Sequence, residues 1–231
     1  MAESFSERMA TVVAEVALLF REQSFRKQRH TFNRETEEGL VQVVGFQMGP
    51  SPPPGAGAMH GDLHGSFTIN LGVYFDEVRR CDRPESPRPK FVHDYDCQVR
   101  VRVGQLVSGR DLWWELSQAG VEQVGRALVA EVVLPFLDEF ASRRALLDAR
   151  RAGDPRISGY STWPPFCVAV VHAHVGELAE AEALLIEDLR DTEREGRASL
   201  AHRRGEAARD RPLLTSILLR RTLSGRWRRM V

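Results

Sequence analysis

Arg100 and Arg102 stand two residues apart in the run CQVRVRV. A period of two puts both guanidiniums on one face of a strand. Thr68 and Asn70 repeat that spacing in FTINLGVYF, and Gln47 and His30 can join them from neighbouring segments. Arginine offers a planar fork of donors, so such a face can bind a carboxylate, a phosphate or an acidic partner surface. The alternative is the solvated side of an antiparallel sheet, with both arginines paired to local acids such as Asp111 or Glu115. Trp113 and Trp114 are adjacent. Neighbours on a strand cannot both face inward, so one packs on the sheet and the other, partly exposed, can anchor a partner.

His60, Asp62 and His64, with His93, Asp94, Asp96 and Cys97 further on, are metal-capable types. The first trio sits in a Gly/Pro loop without rigid support. The spacing fits no zinc-hydrolase motif, and Cys97 reads as core-facing in phase with Val99 and Val101. No metal and no cofactor are expected. The chain has no GxSxG elbow, Walker loop, HExxH or strand-linked GxGxxG. Acid–base pairs need only meet in space, so the sequence leaves catalysis open.

The elements that must carry these residues follow from periodicity. Phe5, Met9, Val12, Val13, Val16, Leu19 and Phe20 recur at helical spacing behind a Ser4/Glu7 capping box. Leu40 to Met48, Phe67 to Phe75 and Cys97 to Val103 alternate as strands, and residues 25–33 pair as a hairpin across Glu38-Gly39. Residues 49–65 form a Pro/Gly/Ala loop, expected to be mobile, and residues 79–92 a second loop. A helix from about 119 to 138 buries Val121, Val124, Leu128, Val132, Phe136 and Phe140, with Pro135 kinking or shortening it. A more polar helix spans 141–152, and a linker runs from Gly153 to about Pro165. A helix–turn–helix follows, from Phe166 through Gly176 to Arg190, and a last helix is expected from Leu213 to Thr222. The fold class is α+β: an antiparallel sheet of at least four strands flanked by helices, then a C-terminal helical segment. The domains read as 1–152 and 153–231.

The formal net charge is zero, which removes a global field toward polyanions. Residues 177–195 nevertheless hold eight acids against two arginines, and residues 196–231 hold ten arginines against two acids. Two lysines face thirty arginines, a bias that fits a GC-rich genome. Three widely spaced cysteines form no disulfide framework. No run of eighteen apolar residues occurs, and Met1 is followed by acidic and polar residues. A cytoplasmic protein without membrane contact is expected.

The segments FRKQRHTFNRE (25–35), VQVVGFQMG (41–49), FTINLGVYFDEV (67–78), HDYDCQVRVRVG (93–104), WWEL (113–116) and LPFLDEF (134–140) occur in an order and spacing that resemble a bacterial family, domain-of-unknown-function 4304. The resemblance covers about residues 5–140. It implies a helix, a mostly antiparallel sheet and a closing helix, and it implies no activity and no catalytic residues.

Two functions fit. The first is a non-catalytic module that binds another protein through the sheet face or the C-terminal helices, immunity- or antitoxin-like in one version. The second is a small-ligand binder or undescribed enzyme with Arg100, Arg102 and Asn70 in a pocket. Arg220, Arg221, Arg226, Arg228 and Arg229 around Trp227 offer a weaker nucleic-acid route. That tail is expected to lie close to the acidic stretch. Wild type should then bind nucleic acid negligibly at physiological salt. Tight, salt-sensitive binding that is lost when Arg226, Arg228 and Arg229 become Ala would reverse this expectation.

Overall fold

The computed structural model describes residues 3–50, 63–158 and 163–203, the last eleven by backbone alone. His60, Asp62, most of the expected mobile loop, the expected helix at 213–222 and the arginine-rich tail lie outside the described residues. The chain divides into two compact units, Met1–Pro164 and Pro165–Val231.

In the first unit, helix α1 (Phe5–Glu22) begins at the expected capping box: Glu7 N donates to Ser4 Oγ, and Ser4 N donates to Glu7 Oε2. Its stripe Met9, Val12, Val13, Val16 and Phe20 is buried. Strands β1 (Arg26–Gln28), β2 (Thr31–Glu37), β3 (Leu40–Met48) and β4 (Ser66–Phe75) follow. The β2–β3 hairpin turns at Glu38-Gly39 as expected, with Gly39 at φ 76°, a value that favours glycine. The expected strand at 25–33 is two strands, because Arg29 takes a left-handed turn between β1 and β2.

Helix α2 (Asp76–Asp82), a 3-10 turn (Asp94–Asp96), β5 (Val99–Arg102), α3 (Val103–Ser108) and β6 (Trp114–Glu115) come next. Every pairing is antiparallel, in the order β1-β2-β3-β4-β5, and β6 also pairs with β4. Strands β5 and β6 therefore lie end to end along one edge of β4.

One sheet face carries Phe32, Val44, Phe46, Phe67, Ile69, Leu71 and Val73, all buried. Phe20 stacks on Phe32 at 4.3 Å and meets Phe25 and Phe46 edge-on. Gln42 is fully buried on this face because its Nε2 donates to the carbonyls of Leu137 and Phe140 while its Oε1 accepts from Arg34 Nε.

The closing helix runs as α4 (Val121–Leu128), a π-helical turn (Val129–Val133) and α5 (Leu134–Glu139). Pro135 has no N–H to give Glu131, and its ring crowds that carbonyl. A wider turn relieves the crowding, with Leu134 N donating to Val129 O. The extra residue shifts the phase. Val129, Val133 and Leu137 are buried, in place of the expected Leu128 and Val132. Gly125 replaces Val124 at the crossing with α1, where a Cβ would sit 2.8 Å from Val12 Cγ1.

Helices α6 (Arg143–Arg151) and α7 (Pro155–Ser158) complete this unit. Arg143, at the start of α6, is buried. Its Nε and NH2 donate to the two Glu77 oxygens at 2.8 and 2.9 Å. Its NH1 reaches Glu37 Oε2 at 2.8 Å, and NH2 also reaches Glu38 O at 2.9 Å. Burial opposes the charge, but the bonds from Glu77 and Glu37 outweigh it and hold the guanidinium pKa above its ordinary value.

The described residues of the second unit form a helical hairpin, α8 (Pro165–His174) and α9 (Leu178–Arg203), turning at Gly176. Ala169, Ala173 and Ala181 pack with Leu184 and Leu185, and His172 Nδ1 lies 2.6 Å from Glu177 Oε2. Among the described residues no helix is long and apolar enough to cross a membrane.

Removing one member of a buried ion pair strands the other charge. Arg143→Met should therefore cost about 3–5 kcal/mol in urea unfolding. Arg143→Met with Glu77→Leu should recover much of that loss. A cost below about 1 kcal/mol, the range of a surface pair, would contradict the arrangement.

Candidate functional site

The second sheet face carries the sequence candidates. Gln47 lies opposite Thr68, Gly45 opposite Asn70, Asn70 opposite Arg102, and Gly72 opposite Arg100. Cross-strand partners share a face, so Gln47, Thr68, Asn70, Arg100 and Arg102 converge. Trp113 joins from the loop that links α3 to β6. That loop is drawn in at Gly104, where any side chain would collide with the Leu112 backbone. Thr68 Oγ1 donates to Leu112 O at 3.1 Å. His30 does not join: its carbonyl accepts from Phe46 N, which places it in the phase of the opposite face.

Asn70 is the hinge of the group. Its Nδ2 donates to Gln47 Oε1 at 2.8 Å, and its Oδ1 accepts from Arg102 Nε at 3.2 Å. The Arg102 guanidinium also lies over the Trp113 ring, 5.4 Å from the centroid, and its NH1 pairs with Asp111. The Arg102 backbone N donates to Gln105 Oε1 at 2.9 Å, which starts α3. Arg100 NH2 lies 3.4 Å from Asp94 Oδ2. Asp111 thus partners Arg102 as weighed from sequence, while Asp94 takes the role considered for Glu115.

Asn70, Leu71, Arg100, Val101, Arg102, Gln105 and Asp111 line an open cleft of about 250 Å³. Arg102 and Arg100 keep 35% and 48% of their side chains exposed, enough for both to meet an incoming group. The arrangement can bind an anion or an amide. Sequence reasoning missed Gln105 and Asp94 as members. Gln105 was legible in principle, standing three residues after Arg102 as a capping-box partner would.

The rest of this face is covered by the chain itself. Asn33 uses its carboxamide as a strand would, donating to Val92 O and accepting from Val92 N at 2.8 Å each. Val41, Val43, Tyr74, Val92 and Cys97 form a buried cluster beneath. Cys97 is buried, but not in phase with Val99. The 3-10 turn before it swings its thiol over Gly72, where a Cβ would lie 2.5 Å from Sγ. Burial, with Asp94 and Asp96 nearby, holds that thiol well above its ordinary pKa, so it is a packing residue and a poor nucleophile. His93 stacks on Tyr95 and its backbone N donates to Asp96, while His64 meets Phe5 edge-on. Among the described residues no group of three metal-capable side chains gathers.

Burial, reinforced by Asp76, raises the Tyr74 phenol to about 12. The fold thus favours the neutral phenol. Its contribution to stability should be complete below about pH 10, the phenol's ordinary value, and should fade as pH rises through about 12. Ultraviolet tyrosine titration should show a late step that Tyr74→Phe removes. If Tyr74→Phe left every step in place, the burial argument would be wrong.

No curated protein and no solved structure matches the chain. A family model described as "Domain of unknown function (DUF4304)" matches residues 16–139. That span runs from α1 through the whole sheet to the end of α5 and includes each residue that lines the cleft. The chain belongs to the DUF4304 family.

Proposed function

We propose that this protein is a non-catalytic interaction module that docks another protein at the Arg100/Arg102 cleft. One observation carries the reading: polar residues of β4, β5, α3 and the loop after it meet in an open cleft of about 250 Å³. Pockets that enclose small ligands usually run ~300–1,000 Å³ and bury most of the ligand. This cleft holds one side chain of a larger surface. Its lining offers guanidiniums, carboxamides and a carboxylate already paired to Arg102, and neither a histidine nor a thiol. That composition suits recognition better than acid–base or nucleophilic work.

Half-exposed Trp113 adds an aromatic beside the cleft, a residue type that often anchors interfaces. A bacterial cytoplasm is the setting we infer. Its support is three widely spaced cysteines with no CxxC pair and an arginine bias suited to a GC-rich genome.

A photo-crosslinking residue placed at Gln105 in the native host tests the reading. It should trap a discrete partner protein that the same residue at Gln123, exposed on α4, does not. Equal labelling from both positions, or none from Gln105, would overturn it.

A further inference from the structure

Arg102 is held in place without help from Asp111. Asn70 fixes Nε, Gln47 fixes Asn70, and the Trp113 ring supports the guanidinium plane. Asn70 is buried, so this frame is rigid. Asp111 is different. It stands on the loop after Gly109, whose φ of 71° ends α3, and its side chain is 48% exposed. The Arg102 NH2 group makes no hydrogen bond among the described residues. A guanidinium so oriented has already lost the freedom that binding would otherwise cost.

We infer that the cleft is a carboxylate-docking site in which Asp111 is the resident occupant. A partner's Asp or Glu side chain binds by taking the place of Asp111 on Arg102. The inference rests on the docking reading above and names the group that docks.

Charge decides the ligand class. Arg100 shares its charge with Asp94, so displacement of Asp111 frees one positive charge, that of Arg102. A monoanionic carboxylate balances it and matches the fork in shape. A phosphate dianion would bring surplus negative charge beside Asp94 and the displaced Asp111. Competition from Asp111 also explains how an exposed arginine can stay selective. A weak or badly placed anion does not outbid an internal carboxylate, whereas one delivered by a shape-matched surface does.

The test uses the full chain labelled with nitrogen-15. The Arg102 Nε–H signal is assigned by its loss in Arg102→Gln. The probe is N-acetylglutamate α-amide, which carries one side-chain carboxylate; its glutamine counterpart is the neutral control. The carboxylate should shift the Arg102 signal, and the control should not. Asp111→Asn and Asp111→Ser should each bind the probe about fivefold tighter than wild type, since a surface ion pair no longer competes.

Unchanged affinity in both variants would overturn the inference, as would a carboxylate that moves other arginines but not Arg102. Tighter binding of inorganic phosphate than of the carboxylate would overturn the assigned class. Unchanged affinity alongside intact crosslinking from Gln105 sinks the competition model alone. Specific carboxylate binding without crosslinking sinks the docking reading instead.

Discussion

The buried Arg143 guanidinium ties together parts of the chain that nothing local would hold. Glu37 and Glu38 lie at the β2–β3 turn, Glu77 stands just after β4, and Arg143 opens α6. Gly39, between them, takes a left-handed φ of 76°, and a Cβ there would press on Asp76 Cβ at 3.2 Å. The cluster therefore clamps the end of the sheet where Leu40 faces Phe75. A one-residue slip of β3 on β4 would exchange the two faces of the sheet. With the clamp closed, Gln47 must lie opposite Thr68 and Gly45 opposite Asn70, and the cleft at the far end is a consequence of that register.

A second constraint is that β4 is buried along its whole length. Apolar residues and helices fill one face. The chain's own loops fill most of the other, pinned by Asn33 to Val92 and by Thr68 to Leu112. Antiparallel sheets commonly leave one face to water. Here the open part is reduced to the stretch over Asn70 and β5. Covering the rest gives the exposed polar group a defined wall, made of Asp94 and Arg100 on one side and the 109–113 loop on the other. Rigid surroundings of this kind turn a polar surface into a shaped one.

Period-two patterns made β3, β4 and β5 legible, and with them the common face of Gln47, Thr68, Asn70, Arg100 and Arg102. The capping box made the start of α1 legible. The failures have physical causes. Val103 continues the alternation of Val99 and Val101 and is fully buried, so the start of α3 is disguised as strand. Cys97 takes its phase from a 3-10 turn that no hydrophobic period marks. The stripe of the closing helix slips because Pro135 induces a π turn upstream of itself. Arg143 sits in a polar helix beside Arg144 and reads as solvated. Its partners Glu77 and Glu37 are 66 and 106 residues away, a distance over which side-chain pattern carries no signal.

The arginine excess, attributable from sequence to genome composition, acquires a structural use. Arg143 spends four N–H bonds on two glutamates and a carbonyl, and 5% of its side chain is exposed. Arg34 lies over the Phe25 ring and joins Gln42 to Asp138. Arg156 grips Glu139 through both NH groups and Asp154 through Nε, which holds its pKa above the ordinary value. Each is a forked or stacked contact that a lysine could not reproduce. Arg102 is stacked and hydrogen-bonded in the same way, yet among the described residues its NH2 group makes no hydrogen bond. The same chemistry that locks three arginines into the fold orients the fourth without saturating it. An oriented, unsaturated guanidinium beside an exposed carboxylate is a poor device for stability, since such a pair contributes only ~0–1 kcal/mol. It suits the docking role proposed above, because its geometry is set in advance of binding.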